Sequence, residues 1–162
     1  MKKLKLFFNA KHGLSILFLL FSVLFIAALF ALKGKLTELT SKSIKAQVNA
    51  GTRQSASILI DSLYNYKRNG LKNEITFLEF GATGCSACKQ MEAVMAQIKR
   101  DYPNRVNVVF VNILKKDNQL LMKYFGISLI PNQVLLNSEG KEFFRHTGHL
   151  AAEELAKEFN LD

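Results

Sequence analysis

The chain has 162 residues, a formal net charge of +9 at neutral pH, 49% hydrophobic residues and only two cysteines. That length accommodates one modest domain and an appendage, and two cysteines exclude a disulfide-rich scaffold and a four-cysteine zinc site. The charge does not point to nucleic acid: residues 1–50 hold eight Lys and one Glu, so nearly all of the excess lies there, and no basic patch with interleaved aromatics follows it.

Residues 1–13 form a short basic tail carrying Lys2, Lys3, Lys5 and Lys11. From Leu14 to Leu32 there is no charge, and Ser15 and Ser22 are the only polar residues. As a helix this run spans roughly 28 Å, enough for a hydrocarbon core, with its backbone groups satisfied internally. It is longer than the usual core of a signal peptide and lacks a good A-x-A cleavage site, so an uncleaved single-pass anchor is expected. Lys33, Lys35, Lys42 and Lys45 follow the span and nearly balance the lysines before it, so the positive-inside rule is almost tied. The short basic tail before the apolar core resembles an export signal and favours a cytoplasmic N-terminus. The expected location is the bacterial inner membrane, with the domain facing the periplasm or the cell exterior, where disulfides persist. Residues 33–54 are polar and read as a solvated tether; loosely spaced Leu36, Leu39, Ile44 and Val48 leave open a helix that extends the anchor.

The domain occupies residues 55–162. Ser55–Arg68 carries a helical stripe of Ile58, Leu59, Leu63 and Tyr66 and stops at Asn69-Gly70. Ile75–Phe80 is an apolar strand. Ser86–Tyr102 is a helix with Met91, Val94, Met95 and Ile98 on one face, and Pro103 follows it. Val106–Ile113 is a buried strand, and Asn118–Phe125 is a short helix ended by Gly126. Asn132–Leu136 and Glu142–Thr147 form a hairpin around Ser138-Glu139-Gly140, and Ala151–Phe159 is a final helix. Met91, Phe77, Phe80, Phe110 and Phe125 are assigned to the core.

Cys85 and Cys88 sit where the first strand turns into a helix. The first thiol lies at the helix N-terminus, where unsatisfied N–H groups and the helix dipole favour a thiolate, and the second lies one turn on, within reach of a disulfide. Such a pair exchanges disulfides, binds a metal, or is structural. Zinc needs two more ligands, and His146 and His149 have no sequence relation to the pair. No metal and no other cofactor is expected. A C-x-x-C after the first strand of a βαβ unit points to a thioredoxin-like fold.

The segment Glu79-Phe80-Gly81-Ala82-Thr83-Gly84-Cys85-Ser86-Ala87-Cys88-Lys89 resembles the acid-Phe-x-Ala-x-x-Cys-x-x-Cys-Lys segment of the thioredoxin family. Tyr124-Phe125-Gly126-Ile127-Ser128-Leu129-Ile130-Pro131 resembles its Tyr-Gly-Ile-x-x-x-Pro segment. Pro131-Asn132-Gln133-Val134 and Arg145-His146-Thr147-Gly148 are similar to membrane-linked bacterial thioredoxins, which often work beside integral membrane proteins that carry electrons outward. The resemblance covers roughly residues 55–160. It implies an α/β thioredoxin-like fold, a central mixed sheet flanked by helices, here preceded by one transmembrane helix. It implies a catalytic Cys85 nucleophile, a resolving Cys88, a redox-active Cys85–Cys88 disulfide, and a buried Glu79 that takes and returns the Cys88 proton. Strand alternation leaves a second reading, in which Glu79 faces solvent at a strand edge. It further implies a cis bond at Ile130–Pro131, with Ile130, Pro131 and Gly84 as substrate-binding residues.

Gly84 stands where the family usually has Trp, Ser86-Ala87 where it has Gly-Pro, Glu79 where it has Asp, and Phe110 in the region of a buried Lys. These departures keep the exchange chemistry and bear on reduction potential and direction. The expected function is reduction of disulfides in exported proteins, with a membrane electron-donor protein as partner. A disulfide oxidase or isomerase, or a redox-inert thioredoxin-fold adaptor, is the alternative.

Overall fold

A computed structural model describes residues 2–161. The elements run α1 (Lys2–Gln47), α2 (Ala50–Tyr64), α3 (Tyr66–Asn69), β1 (Ile75–Gly81), α4 (Ser86–Asp101), β2 (Val106–Asn112), a 3-10 turn (Lys116–Asn118), α5 (Gln119–Phe125), β3 (Asn132–Leu136), β4 (Glu142–Thr147) and α6 (Ala152–Lys157). The chain divides into two compact units, one ending at Leu36 and the other beginning at Thr37.

In the second unit the four strands form one sheet in the order β2-β1-β3-β4. β1 pairs parallel with β2 and antiparallel with β3, and β3 pairs antiparallel with β4. Side chains alternate across the sheet. Ile75, Phe77, Val106, Val108 and Leu135 share one face, which packs on Met91, Val94, Met95 and Ile98 of α4 and on Ala152, Leu155 and Phe159. Leu78, Phe80, Val111, Val134 and Leu136 form the other face and pack on Ile60, Tyr64, Leu121 and Phe125. Because both faces are covered, every residue of β1 is buried, which explains its near-continuous apolar run.

The helices follow from local sequence. Met91, Val94, Met95 and Ile98 recur at helical spacing and place their stripe on the sheet. Lys99 and Arg100 in the last turn of α4 complement its dipole. Asn49 caps α2, its side chain accepting from the Thr52 N–H at 2.7 Å. Gly70 and Gly126 adopt left-handed conformations that end α3 and α5.

Residues 33–47, expected as a tether with a helical option, are helical, and α2 begins at Ala50. The polar composition conceals local contacts at Ser41 and Lys45, while Leu36 and Leu39 are exposed. Ser41 is buried, and Lys45 Nζ donates to Glu142 Oε2 at 2.9 Å. Among the described residues no single helix is long and apolar enough to cross a membrane. The bent pair Gly13–Leu29 and Gly34–Gln47 meets the requirement together, by length and composition.

Candidate active site

β1 delivers the chain to the C-terminal end of the sheet, where residues 82–85 turn it into α4. Gly84 sits in that turn at φ +85°, a conformation that a side chain opposes. Cys85 then serves as the N-cap of α4: its Sγ accepts from the Cys88 N–H at 3.1 Å. The helix N-terminus thus points the Cys88 N–H at this sulfur, which favours its thiolate once the pair is reduced. Cys85 and Cys88 are joined as a disulfide, with their Cα atoms 5.2 Å apart. The two sulfurs are not equivalent, since Cys85 is partly exposed and Cys88 is buried. An incoming sulfur therefore has access to Cys85 rather than Cys88.

The pair opens into a depression of 280 Å³ lined by Thr83, Gly84, Cys85, Cys88, Glu92 and Phe110, among others. Phe110, assigned to the core from its place in an apolar run, is instead 42% exposed. It shares a face with Val106 and Val108, but α4 covers that face only along part of β2. Near the end of β2 the ring leans over Gly81, where an added Cβ would lie 2.7 Å from the ring and 3.3 Å from Cys88 Cβ. Gly81 is thus the close approach that lets strand, ring and second cysteine meet.

Glu79 is fully buried. The solvent-facing reading fails because β1 lies between β2 and β3 and has no open edge. Glu79 shares its face with Phe77, on the side packed by α4, and is two residues from Gly81. Its register partners are Phe110 on β2 and Gln133 on β3, and His146 on β4 continues the row. Burial pushes the Glu79 carboxyl up from 4.5 to about 8, against the opposing pull of a Gln133 hydrogen bond. That bond runs from Gln133 Nε2 to Glu79 Oε2 at 3.0 Å.

The Ile130–Pro131 bond is cis. Pro131 is buried, and its carbonyl accepts from the Gly148 N–H at 2.9 Å. Pairing of β1 with β3 ends at Phe80 and Asn132, so Pro131 comes next at the sheet end where the cysteine turn begins. Ile130 is half-buried and Leu129 exposed. Lys89 is an exposed position of α4 at the rim of the depression. Sequence reasoning missed Phe110 and Gln133 as site residues. A polar Gln inside an apolar strand is the signal that pointed to the second.

A disulfide at a helix N-terminus over a mixed sheet is the arrangement of the thiol–disulfide oxidoreductase class. The chain belongs to the thioredoxin-like domain family, whose model matches residues 62–161. The chloroplastic thioredoxin-like protein HCF164 of Arabidopsis thaliana is 28% identical over 85 residues, 52% of this chain and 33% of its own length. The thiol:disulfide interchange protein TxlA of Synechococcus elongatus is 34% identical over 88 residues, 52% of this chain and 44% of its own. The chain thus spans less than half the length of these two relatives. Chloroplastic thioredoxin z is alike in fold alone, with a TM-score of 0.50 at 19% identity over 64% of this chain and 85% of that one.

Proposed function

We propose that the chain is a membrane-anchored reductase of disulfides in exported proteins, recharged by a membrane electron-donor protein. The observation that carries the exchange chemistry is the asymmetric disulfide, accessible at Cys85 and buried at Cys88. In the reduced protein, the Cys85 thiolate attacks a substrate disulfide, forming a mixed disulfide and releasing one substrate thiolate. Cys88 gives its proton to the Glu79 carboxylate and attacks Cys85 Sγ. The Cys85–Cys88 disulfide forms, the second substrate sulfur leaves, and two electrons have passed to the substrate. In recharging, a donor thiolate opens the disulfide at Cys85, and Glu79 returns the proton to the departing Cys88. By the family resemblance, Gly84, Ile130 and Pro131 offer backbone to an extended substrate segment.

The uncharged run from Leu14 to Leu32, flanked by lysines, supports the anchor. The resemblance to membrane-linked bacterial thioredoxins supports a domain facing the periplasm or exterior.

Substitution separates the roles. Cys85→Ser abolishes reduction of a model substrate such as insulin, and Cys88→Ser accumulates mixed disulfides on Cys85. A Cys85→Ser protein that reduces insulin at the wild-type rate removes the nucleophile assignment. Equilibration of the pair with glutathione sets direction: a strongly reducing potential fits electron delivery, and an oxidising one makes the protein a disulfide donor.

A further inference from the structure

Beside the proton-carrying acid stands a side chain that the exchange mechanism leaves unused. Gln133 is fully buried in β3, directly across from Glu79 and on the same face. One hydrogen bond joins them, from Gln133 Nε2 to Glu79 Oε2 at 3.0 Å. The other two oxygens of the pair, Glu79 Oε1 and Gln133 Oε1, are both buried and, among the described residues, both without a partner. Two orphan acceptors on two side chains that already touch are costly while the carboxyl is ionised, because neither can donate.

A proton on Glu79 changes this inventory. A neutral carboxyl gains one O–H donor, and the orphan carboxamide oxygen is an acceptor in need of one. The acid and the amide then close a ring of two hydrogen bonds, Nε2–H to one carboxyl oxygen and O–H to the amide oxygen. A small rotation about the soft terminal torsions of Gln133 and Glu79 serves to align it. On ionisation the second bond opens and the first becomes charge-assisted. We propose that Gln133 is a positioning residue that pairs with Glu79 in both protonation states, holding the carboxyl in one place while the proton moves to and from Cys88. This rests on the reading of Glu79 as the proton partner of Cys88.

A carboxamide suits the task better than the alternatives. A cation at this position would trap the carboxylate, and an apolar side chain would trap the acid. The other groups around Glu79 leave the role to Gln133. On β2 its register partner is Phe110, which is apolar, and beyond Gln133 on β4 lies His146. From α4 come Cys88, tied up in the disulfide, and Lys89 and Glu92, both exposed at the rim of the depression.

The test uses the full chain in its disulfide form, with the infrared C=O band of protonated Glu79 identified by its loss in E79Q. In Q133M, which keeps the length of the side chain and removes both hydrogen bonds, the band moves to higher frequency. Its titration midpoint moves by no more than about half a pH unit, because the ionised form loses one charge-assisted bond while the neutral acid loses two ordinary ones of similar combined strength. A band identical to wild type, or a midpoint raised by about a full unit, overturns the proposal, the second because Gln133 would then pair with the carboxylate alone. Should Q133M not fold, the wild-type side-chain amide resonance of Gln133 decides: it follows the Glu79 midpoint if the two pair in both states, and a resonance indifferent to that midpoint overturns the pairing. Failure of the underlying reading looks different, since E79Q would then leave the pH profile of exchange unchanged whatever Gln133 does to the band.

Discussion

Glu79 owes its chemistry to the strand that carries it. In water a glutamate is ionised at neutral pH. In the middle of β1, with α4 above it and one donor beside it, its titration lies near 8. This has a consequence for stability. In the unfolded chain Glu79 releases its proton at about 4.5, whereas the folded protein keeps it until about 8. Between those values the folded state binds one more proton than the unfolded state, so this group makes stability fall as pH rises through that window and level off above it. Glu79→Gln removes the fall. Unfolding of the disulfide form by denaturant at pH 5 and pH 9 measures it. The wild type loses on the order of a few kcal/mol more than the variant between the two conditions. Equal losses would mean that the carboxyl is already ionised at pH 5.

Among the elements, α5 and the C-terminal part of α1 depend on one glycine. Gly126 ends α5 at φ +62°, and a Cβ there would lie 2.5 Å from the Ser41 carbonyl oxygen. The residue therefore answers two demands, a left-handed cap and a close helix contact. Gly126→Ala meets both penalties and destabilises the domain by about 1–3 kcal/mol, measured by denaturant unfolding. A loss of a few tenths would show that α1 moves aside at little cost. The same contact explains why a segment of Thr, Ser, Lys and Gln is ordered: its backbone packs on α5 and Lys45 pairs with Glu142.

At the scale of the whole molecule, the second compact unit begins at Thr37, eighteen residues before the start expected for the domain. A chain beginning at Thr37 keeps the unfolding midpoint of the full-length domain. A chain beginning at Ser55 loses the Ser41, Lys45 and Asn49 contacts and unfolds at lower denaturant. Equal midpoints for the two would make residues 37–54 a passive stalk.

Much of this was legible in the sequence. Met91, Val94, Met95 and Ile98 repeat at helical spacing, Ile75–Phe80 reads as an apolar strand, and Cys85-Ser86-Ala87-Cys88 sits at the junction. These are local patterns, so periodicity and turn chemistry reveal them. Ser41 and Lys45 hid their contacts because a polar stripe looks the same whether water or another helix lies beside it. Phe110 looked like core because strand alternation gives the face of a residue but not where the covering helix stops. Glu79 and Gln133 are 54 residues apart in the chain, and only the antiparallel pairing of β1 with β3 made them neighbours. The sequence by itself determined the elements, the dithiol and its place at a helix start, since each depends on nearby residues. Tertiary structure alone decided which sulfur is accessible, that the acid is sealed from water, and which side chain hydrogen-bonds to it, since each depends on what distant segments bring alongside.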